Sequence, residues 1–176
     1  MKEQNQCVDV DTKLKIADVL RYNMHIAYKS VFSKVVLLVG VGLLGLLVYK
    51  FITRTSPIDL FISQNILFIM LPIFILIATP WKVWNITASQ MQAPIFANGA
   101  KYMFYLDKIY IKAGELEDEV PWATYIRIVE TGKDFRFFVD KVQAQIIPKH
   151  NMTEQQIKEL RELIKEANPK EVYKLK

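Results

Sequence analysis

The chain contains few of the residues that most often build catalytic and metal sites. Its 176 residues include one cysteine, Cys7, and two histidines, His25 and His150. A single cysteine excludes an intramolecular disulfide and any multi-cysteine metal site. The formal net charge of +5 is too small to indicate a nucleic-acid-binding protein, and we expect no nucleic-acid partner. The length is that of about one domain, which excludes a large multidomain enzyme.

Charged residues are missing from two long segments. Residues 35–49 read VVLLVGVGLLGLLVY, and the apolar stretch extends over residues 31–52. As a helix, about 22 residues cross a hydrocarbon core of about 30 Å. A second apolar stretch begins at Leu60, and Trp81 and Trp84 follow it where an interfacial aromatic belt would lie. We therefore predict membrane spans at about 31–52 and 60–80, because a chain this small could not bury two such helices in a soluble core.

The connection between the spans, residues 53–59, is short and predicts an antiparallel hairpin. Lysine and arginine are more numerous on the outer flanks than in the connection, which is bordered by Lys50 and contains Arg54. By the positive-inside rule, both termini are expected in the cytoplasm of a multi-pass protein of the cell (inner) membrane. The N-terminal residues lack the apolar segment of a signal peptide, so none is expected.

Some residues inside the spans have structural or functional interpretations. We expect glycines of the first span to pack closely against the second span, and Pro72 to kink the second. Gln64 and Asn65 are expected to form hydrogen bonds between the helices, or alternatively to line a pore in an oligomer. The three glycines are Gly40, Gly42 and Gly45.

The segments outside the spans show first β, then α, periodicity. Residues 8–16 alternate apolar and polar side chains, which predicts a strand. From Asp18 the apolar positions recur at helical spacing, which predicts a helix that lies along the membrane surface or continues into the first span. A cytosolic N-terminal segment, residues 1–30, thus precedes the hairpin of residues 31–84.

Residues 85–176 are predicted to form a cytosolic β domain closed by a helix. Turn chemistry at Asn98-Gly99, Ala113-Gly114 and residues 131–134 separates strands rich in β-branched and aromatic residues. Thr153 and Gln156 have capping-box spacing before an apolar stripe, and Asn168-Pro169 ends that helix. The predicted strands are residues 101–106, 108–112, 123–130, 135–139 and 142–147, with 85–92 as a further strand; the stripe is Ile157, Leu160, Leu163, Ile164 and Ala167. The fold class is therefore an α+β membrane protein, with a two-helix hairpin and an antiparallel β-sandwich or partly open barrel.

Residues 119–164, EVPWATYIRIVETGKDFRFFVDKVQAQIIPKHNMTEQQIKELRELI, resemble the YcxB-like family of small bacterial membrane proteins. The resemblance rests on a Pro-Trp strand start, a Glu-Thr turn, a Phe-rich strand, and Ile-Ile-Pro-Lys before a capped helix. His150 departs from the family pattern, which more often has Arg there. The resemblance implies a cytosolic domain similar to a pleckstrin-homology fold, seven strands plus a capping helix, behind a two-helix anchor. It implies no assigned biochemical activity.

No set of residues points to catalysis. Neither histidine has a Cys, Asp or Glu at metal-ligand spacing, and we expect both to be surface residues. An acidic run is interpreted as a solvated hairpin tip, and Trp122 as a core residue. The acidic residues are Glu115, Glu117, Asp118 and Glu119. We therefore predict no enzyme activity, catalytic residue, metal site or cofactor.

The predicted function is that of a membrane-anchored cytosolic binding or interaction module. Its partners besides the lipid bilayer would be a protein or anionic lipid headgroups, and the oligomeric state stays open. A basic surface suited to headgroups would consist of Lys101, Lys108, Lys112, Lys141 and Lys149. The alternative function is an accessory subunit of an oligomeric transport or channel assembly, with Gln64 and Asn65 facing a shared pathway.

Overall fold

The computed structural model of the protein describes residues 7–93, 96, 98–168 and 172–176. The chain divides into two compact units. The helical unit comprises Leu20–Ala88, and the β unit comprises Met1–Val19 together with Ser89–Lys176. The helical unit is therefore an insertion between the first strand of the β unit and the rest of that unit.

Three helices precede most of the β structure: α1, Ile16–Ala27; α2, Val31–Ile52; and α3, Ile58–Gln90. α2 has the predicted bounds. It is separate from α1, because Ser30 caps it by accepting a hydrogen bond from the Ser33 backbone N–H at 3.0 Å. α1 therefore does not continue directly into the first span.

α3 is longer than the predicted span of residues 60–80, and the predicted strand at residues 85–92 is wrong. The helix runs to Gln90, since Val83 and Thr87 are buried one turn apart. The Thr87 hydroxyl donates to the Val83 carbonyl and accepts from the Asn23 side chain, each at 2.9 Å. These contacts favour continued helix over the weak β propensity of the segment.

α2 and α3 present large apolar side chains on their surfaces. Leu38, Leu67 and Phe74 are 70%, 83% and 71% exposed. Both helices are long and apolar enough to cross a membrane. Aromatic side chains also meet between them, since the rings of Phe51 and Phe61 lie 5.8 Å apart in an edge-to-face arrangement.

The expected role of the glycines holds at one position. A Cβ on Gly40 would lie 2.9 Å from side-chain carbons of both Ile75 and Leu76, so Gly40 allows close helix packing. Gly42 and Gly45 have open space around the corresponding position among the described residues, so the packing prediction is wrong for these two. The non-helical dihedral angles within α3 occur at Asn65 and not at Pro72, where the kink was expected.

The first sheet of the β unit is antiparallel, with strand order β1-β2-β3-β4. The strands are β1, Val8–Thr12; β2, Ala100–Phe104; β3, Lys108–Ala113; and β4, Leu116–Pro121. β1 is shorter than the predicted strand of residues 8–16, because α1 begins at Ile16. The Asp18 carboxylate stabilises that helix start by accepting from the Lys15 backbone N–H at 3.0 Å.

The second sheet has strand order β7-β6-β5-β8. Its strands are β5, Arg127–Glu130; β6, Asp134–Phe138; β7, Ala144–Pro148; and β8, Tyr173–Lys174. β5 pairs in parallel with β8, a strand that the sequence pattern did not predict. The predicted strand at residues 123–130 is wrong in its first half, since Trp122–Thr124 form a 3-10 helix.

One apolar core joins both sheets to the last helix, α4, Glu154–Ala167. The predicted capping box is present: the Gln156 backbone N–H donates to the Thr153 hydroxyl at 3.1 Å, and the Thr153 N–H donates to the Gln156 side chain at 2.8 Å. Four residues of the predicted stripe of α4 are buried in this core, Ala167 is half-buried against it, and Asn168 ends the helix. Pro169 lies outside the described residues. Trp122 is buried as predicted, and its Nε1 donates to the Tyr105 carbonyl at 2.8 Å.

Candidate functional site

Both histidines are exposed, as expected, His25 on α1 and His150 shortly before α4. The Nε2 of His150 lies 2.9 Å from the Oδ2 of Asp18, whose side chain is buried. This pair joins the start of α1 to the 3-10 helix Lys149–Asn151. The sequence did not indicate it, because the two residues are 132 positions apart.

Within the described ranges, no group of three or more His, Cys, Asp or Glu side chains is placed to hold a metal ion. The His150–Asp18 pair has the arrangement of a positioned imidazole, but a general base also needs a nucleophile within reach. The pair is best understood as a structural contact within the β unit, to which both residues belong.

The five lysines that were predicted to form a basic surface do not form one. Lys101, Lys108 and Lys112 lie on the outer face of the first sheet, and each pairs with a carboxylate, at 2.7, 2.8 and 2.5 Å respectively. Their partners are Asp9, Glu119 and Glu117. The face is therefore a ladder of neutralised pairs rather than a patch of positive charge.

The remaining two lysines lie elsewhere. Lys141 is in the connection between β6 and β7, and Lys149 binds the buried carboxylate of Glu130. The ammonium of Lys149 also lies 5.1 Å from the centre of the Phe135 ring. The five lysines therefore do not share one face.

The acidic run is not a hairpin tip. Only Glu115 lies in the turn, and Glu117, Asp118 and Glu119 belong to β4. Because side chains alternate along a strand, Glu117 and Glu119 lie on the outer face while Asp118 lies on the inner face. Hydrogen bonding to Glu117, with burial, raises the pKa of Tyr110 to about 12.

A cavity of about 370 Å³ lies within the β unit, between the two sheets. It is bordered by residues of two edge strands, Leu116 and Asp118 of β4 and Gln145 and Ile146 of β7. The further lining is mainly apolar and comes from Leu14, Val19, Phe96, Tyr102, Ile111 and Ala144. This size and lining are typical of ligand pockets.

The polar groups that border the cavity differ in their hydrogen bonding. The Thr12 hydroxyl donates to the Ala100 carbonyl at 2.7 Å, and the Tyr125 hydroxyl donates to the Gln145 side chain at 2.6 Å. The Asp118 carboxylate has no hydrogen-bond or ion-pair partner within the described part of the chain. Burial raises the pKa of Tyr102 to about 12. Burial, followed by the charges of Tyr102 and Asp118, also raises the pKa of Tyr125.

Sequence reasoning did not identify this cavity. Its lining comes from five strands and the segments beside them, and no single strand carries a pattern that indicates a cavity. The one local signal is Asp118, a carboxylate at an inner-face position between Leu116 and Val120. That signal depends on recognising β4 as a strand, which the charge of LEDEVP obscured.

Comparisons with known proteins identify one similarity. Residues 104–164 match the model of the family described as YcxB-like protein, which confirms the resemblance over this segment. The match runs from the end of β2 into α4 and includes β4, β5, β6 and β7. No curated protein and no solved structure matches the chain.

Proposed function

We propose that this protein is a membrane-anchored binding module of a cell membrane, with the helical unit in the bilayer and the β unit in the cytoplasm. One observation carries the proposal. The helical unit exposes apolar side chains on both long helices, whereas the β unit has its own closed core and an open apolar cavity. The apolar surface of the helical unit is suited to the hydrocarbon core of a bilayer. The β unit is suited to water, with a ligand bound in its cavity.

The cavity is the binding site in this proposal. A cavity with mainly apolar walls and a few polar groups is the usual form of a recognition site. Seven strands in two sheets, followed by a capped helix, also support a fold of the pleckstrin-homology type for the β unit. The paired lysines of the first sheet favour recognition through the cavity over recognition of anionic headgroups by a basic surface.

The alternative, an accessory subunit of a transport or channel assembly, has less support. It requires Gln64 and Asn65 to face a shared pathway. The Asn65 side chain instead donates to the Phe61 carbonyl at 2.9 Å and accepts from Lys50 at 3.5 Å. Its polar atoms are thus engaged within the helical unit, as expected for a contact between helices.

The placement is tested by thiol labelling in intact cells. In one strain the native Cys7 is the only cysteine; in another, Thr55→Cys is combined with Cys7→Ser. We expect an impermeant maleimide to label the cysteine at position 55 in intact cells, and Cys7 only after the membrane is opened. Both positions are exposed in the structure, so both should react once the reagent can reach them.

The opposite pattern would place the β unit outside the cell and overturn the proposed location. Extraction of the full chain by alkaline carbonate, without detergent, would overturn the membrane anchor itself.

A further inference from the structure

The strand edges at the mouth of the cavity indicate what it binds. We propose that an extended peptide with alternating side chains, apolar and basic on one face, adds to β4 as a further strand. Its apolar side chains would enter the cavity and its basic side chain would pair with Asp118. This inference rests on the proposed binding function and names the class of partner.

The first observation is a strand edge beside the cavity that pairs with no further strand of the described residues. β4 ends the order of the first sheet, and β7 ends the order of the second. Five of the six residues of β4 are exposed. A free edge presents a row of backbone N–H and C=O groups, to which an extended peptide can bind.

The second observation is the charge of that edge. Glu117 and Glu119 are neutralised by lysines on the outer face. Asp118 stands directly across from Ile111 on the inner face and has no such partner among the described residues. One uncompensated carboxylate therefore lies at the cavity border, and a Lys or Arg side chain complements it.

The third observation is the cavity itself. In strand addition, backbone hydrogen bonds supply affinity and pockets for alternate side chains supply specificity. Leu116, Asp118 and Val120 occupy the inner-face positions of β4. A peptide strand beside them would therefore place apolar, basic and apolar side chains at every second position, with the apolar ones beside Leu116 and Val120.

The chain shows the same type of pairing on its other sheet. The terminal strand β8, from the segment VYKLK, pairs with β5. The backbone N–H of Lys176 donates to the Glu130 carboxylate at 2.9 Å. A short segment of alternating apolar and basic residues is thus bound at a sheet edge, where a carboxylate accepts a hydrogen bond from its backbone.

A competing interpretation is protection against aggregation. Charged side chains and inward-pointing charges on edge strands prevent uncontrolled pairing between copies. On that interpretation Asp118 excludes every added strand, and no short peptide binds.

The test uses the full chain in nanodiscs of phosphatidylcholine, which carries no net charge. The probe is a fluorescently labelled peptide containing Leu-Thr-Lys-Thr-Leu, and fluorescence anisotropy measures its binding. We expect Asp118→Asn to weaken binding by up to about fivefold, the upper end of the range for one exposed ion pair. Glu115→Gln removes a carboxylate from the neighbouring turn and should leave the affinity unchanged.

A charge reversal separates recognition from folding defects. Asp118→Lys should lose the Lys peptide and bind the matched Leu-Thr-Glu-Thr-Leu peptide, which the wild-type chain should bind least. A peptide methylated on alternate backbone nitrogens should lose binding, because it cannot form the strand hydrogen bonds.

Equal binding of the methylated and unmodified peptides would overturn strand addition, because the cavity would then take an apolar group alone. Absence of binding to the wild-type chain would overturn the inference in favour of edge protection. The thiol labelling described above reports on the proposed location independently of either result.

Discussion

The guanidinium of Arg161 holds the buried carboxylate of Glu130. Its Nε lies 3.1 and 3.0 Å from the two carboxylate oxygens, and its Nη2 lies 2.6 Å from Oε1. Lys149 and the backbone N–H of Lys176 donate to the same carboxylate. The Glu130 carboxylate has no exposed surface, and it joins β5, α4, the 3-10 helix before α4 and the C-terminal segment.

This arrangement predicts acid sensitivity of the β unit. Burial by itself raises the pKa of Glu130, but the hydrogen bonds from Arg161, Lys149 and Lys176 outweigh it and lower the pKa from 4.5 to about 2. A lowered folded-state pKa stabilises the protein above the unfolded value, and this stabilisation is lost as the pH falls from about 4.5 to about 2. The contribution at neutral pH is on the order of 3 kcal/mol.

Glu130→Gln should therefore lower the free energy of unfolding by about 3 kcal/mol at pH 7, since it leaves two cations without their carboxylate. The difference from wild type should shrink as the pH falls toward 2. Chemical unfolding of the full chain in detergent micelles, followed by near-ultraviolet circular dichroism, measures the loss of unfolding free energy at pH 7 and its dependence on pH. Glu162→Gln on the exposed side of α4 is the control and should have little effect; an unchanged difference at pH 2.5 would contradict the assigned pKa.

Gly99 and Gly114 should respond differently to the same substitution. Both have positive φ, +83° and +65°. A Cβ on Gly99 would lie 2.5 Å from the Thr12 carbonyl oxygen, whereas Gly114 has open space within the described part of the chain. Gly114→Ala should cost about 1 kcal/mol of unfolding free energy from the backbone conformation alone. Gly99→Ala should cost more, because the Thr12 backbone in β1 must also move.

Thermal unfolding of the two variants, compared side by side, checks this contrast. Equal losses of unfolding free energy would show that the close approach of Gly99 to β1 adds nothing to the cost of the substitution.

The contact of Gly40 with α3 predicts position-dependent effects within the first long helix. Gly40→Leu should destabilise the packing of α2 and α3, because its side chain would overlap Ile75 and Leu76. Gly40→Ala should have a smaller effect, since the nearest atoms belong to side chains that can shift. The resistance of the full chain to thermal denaturation in detergent provides the measurement.

Gly42→Leu is the matched control, because open space surrounds that position among the described residues. A loss equal to that of Gly40→Leu would indicate that the helices meet along another face.

The Thr153 hydroxyl supplies one of the two capping hydrogen bonds at the N-terminus of α4. Thr153→Ala removes the acceptor for the Gln156 N–H and should lower the free energy of unfolding by about 1 kcal/mol. Thr153→Ser keeps the hydroxyl and should retain most of the stability. Denaturant titration distinguishes the two, and equal losses would mean that the threonine methyl group, rather than the cap, stabilises the helix.

Part of the candidate site was visible in the sequence, but its assembly was not. The β-branched and aromatic residues of β2 and β3 predicted strands there, and both strands are present, with Tyr102 and Ile111 buried. The acidic β4 was missed, because four carboxylates within five residues favour a solvated turn over a strand. Cross-strand pairing with Lys108 and Lys112 compensates two of these charges, which no local pattern reveals.

The sequence by itself determined the features that depend on neighbouring residues. The length and polarity of residues 31–52, the capping box at Thr153 and the apolar stripe of α4 are local, since helical periodicity and capping act within a few residues. Long-range packing decided the rest: the extension of α3 to Gln90, the pairing of β8 with β5, and the pairing of β1 with β2, which the helical unit separates in sequence. It also placed Asp118, which has no ion-pair partner among the described residues, beside an apolar cavity, because alternation along β4 turns this carboxylate away from the face that carries Lys108 and Lys112.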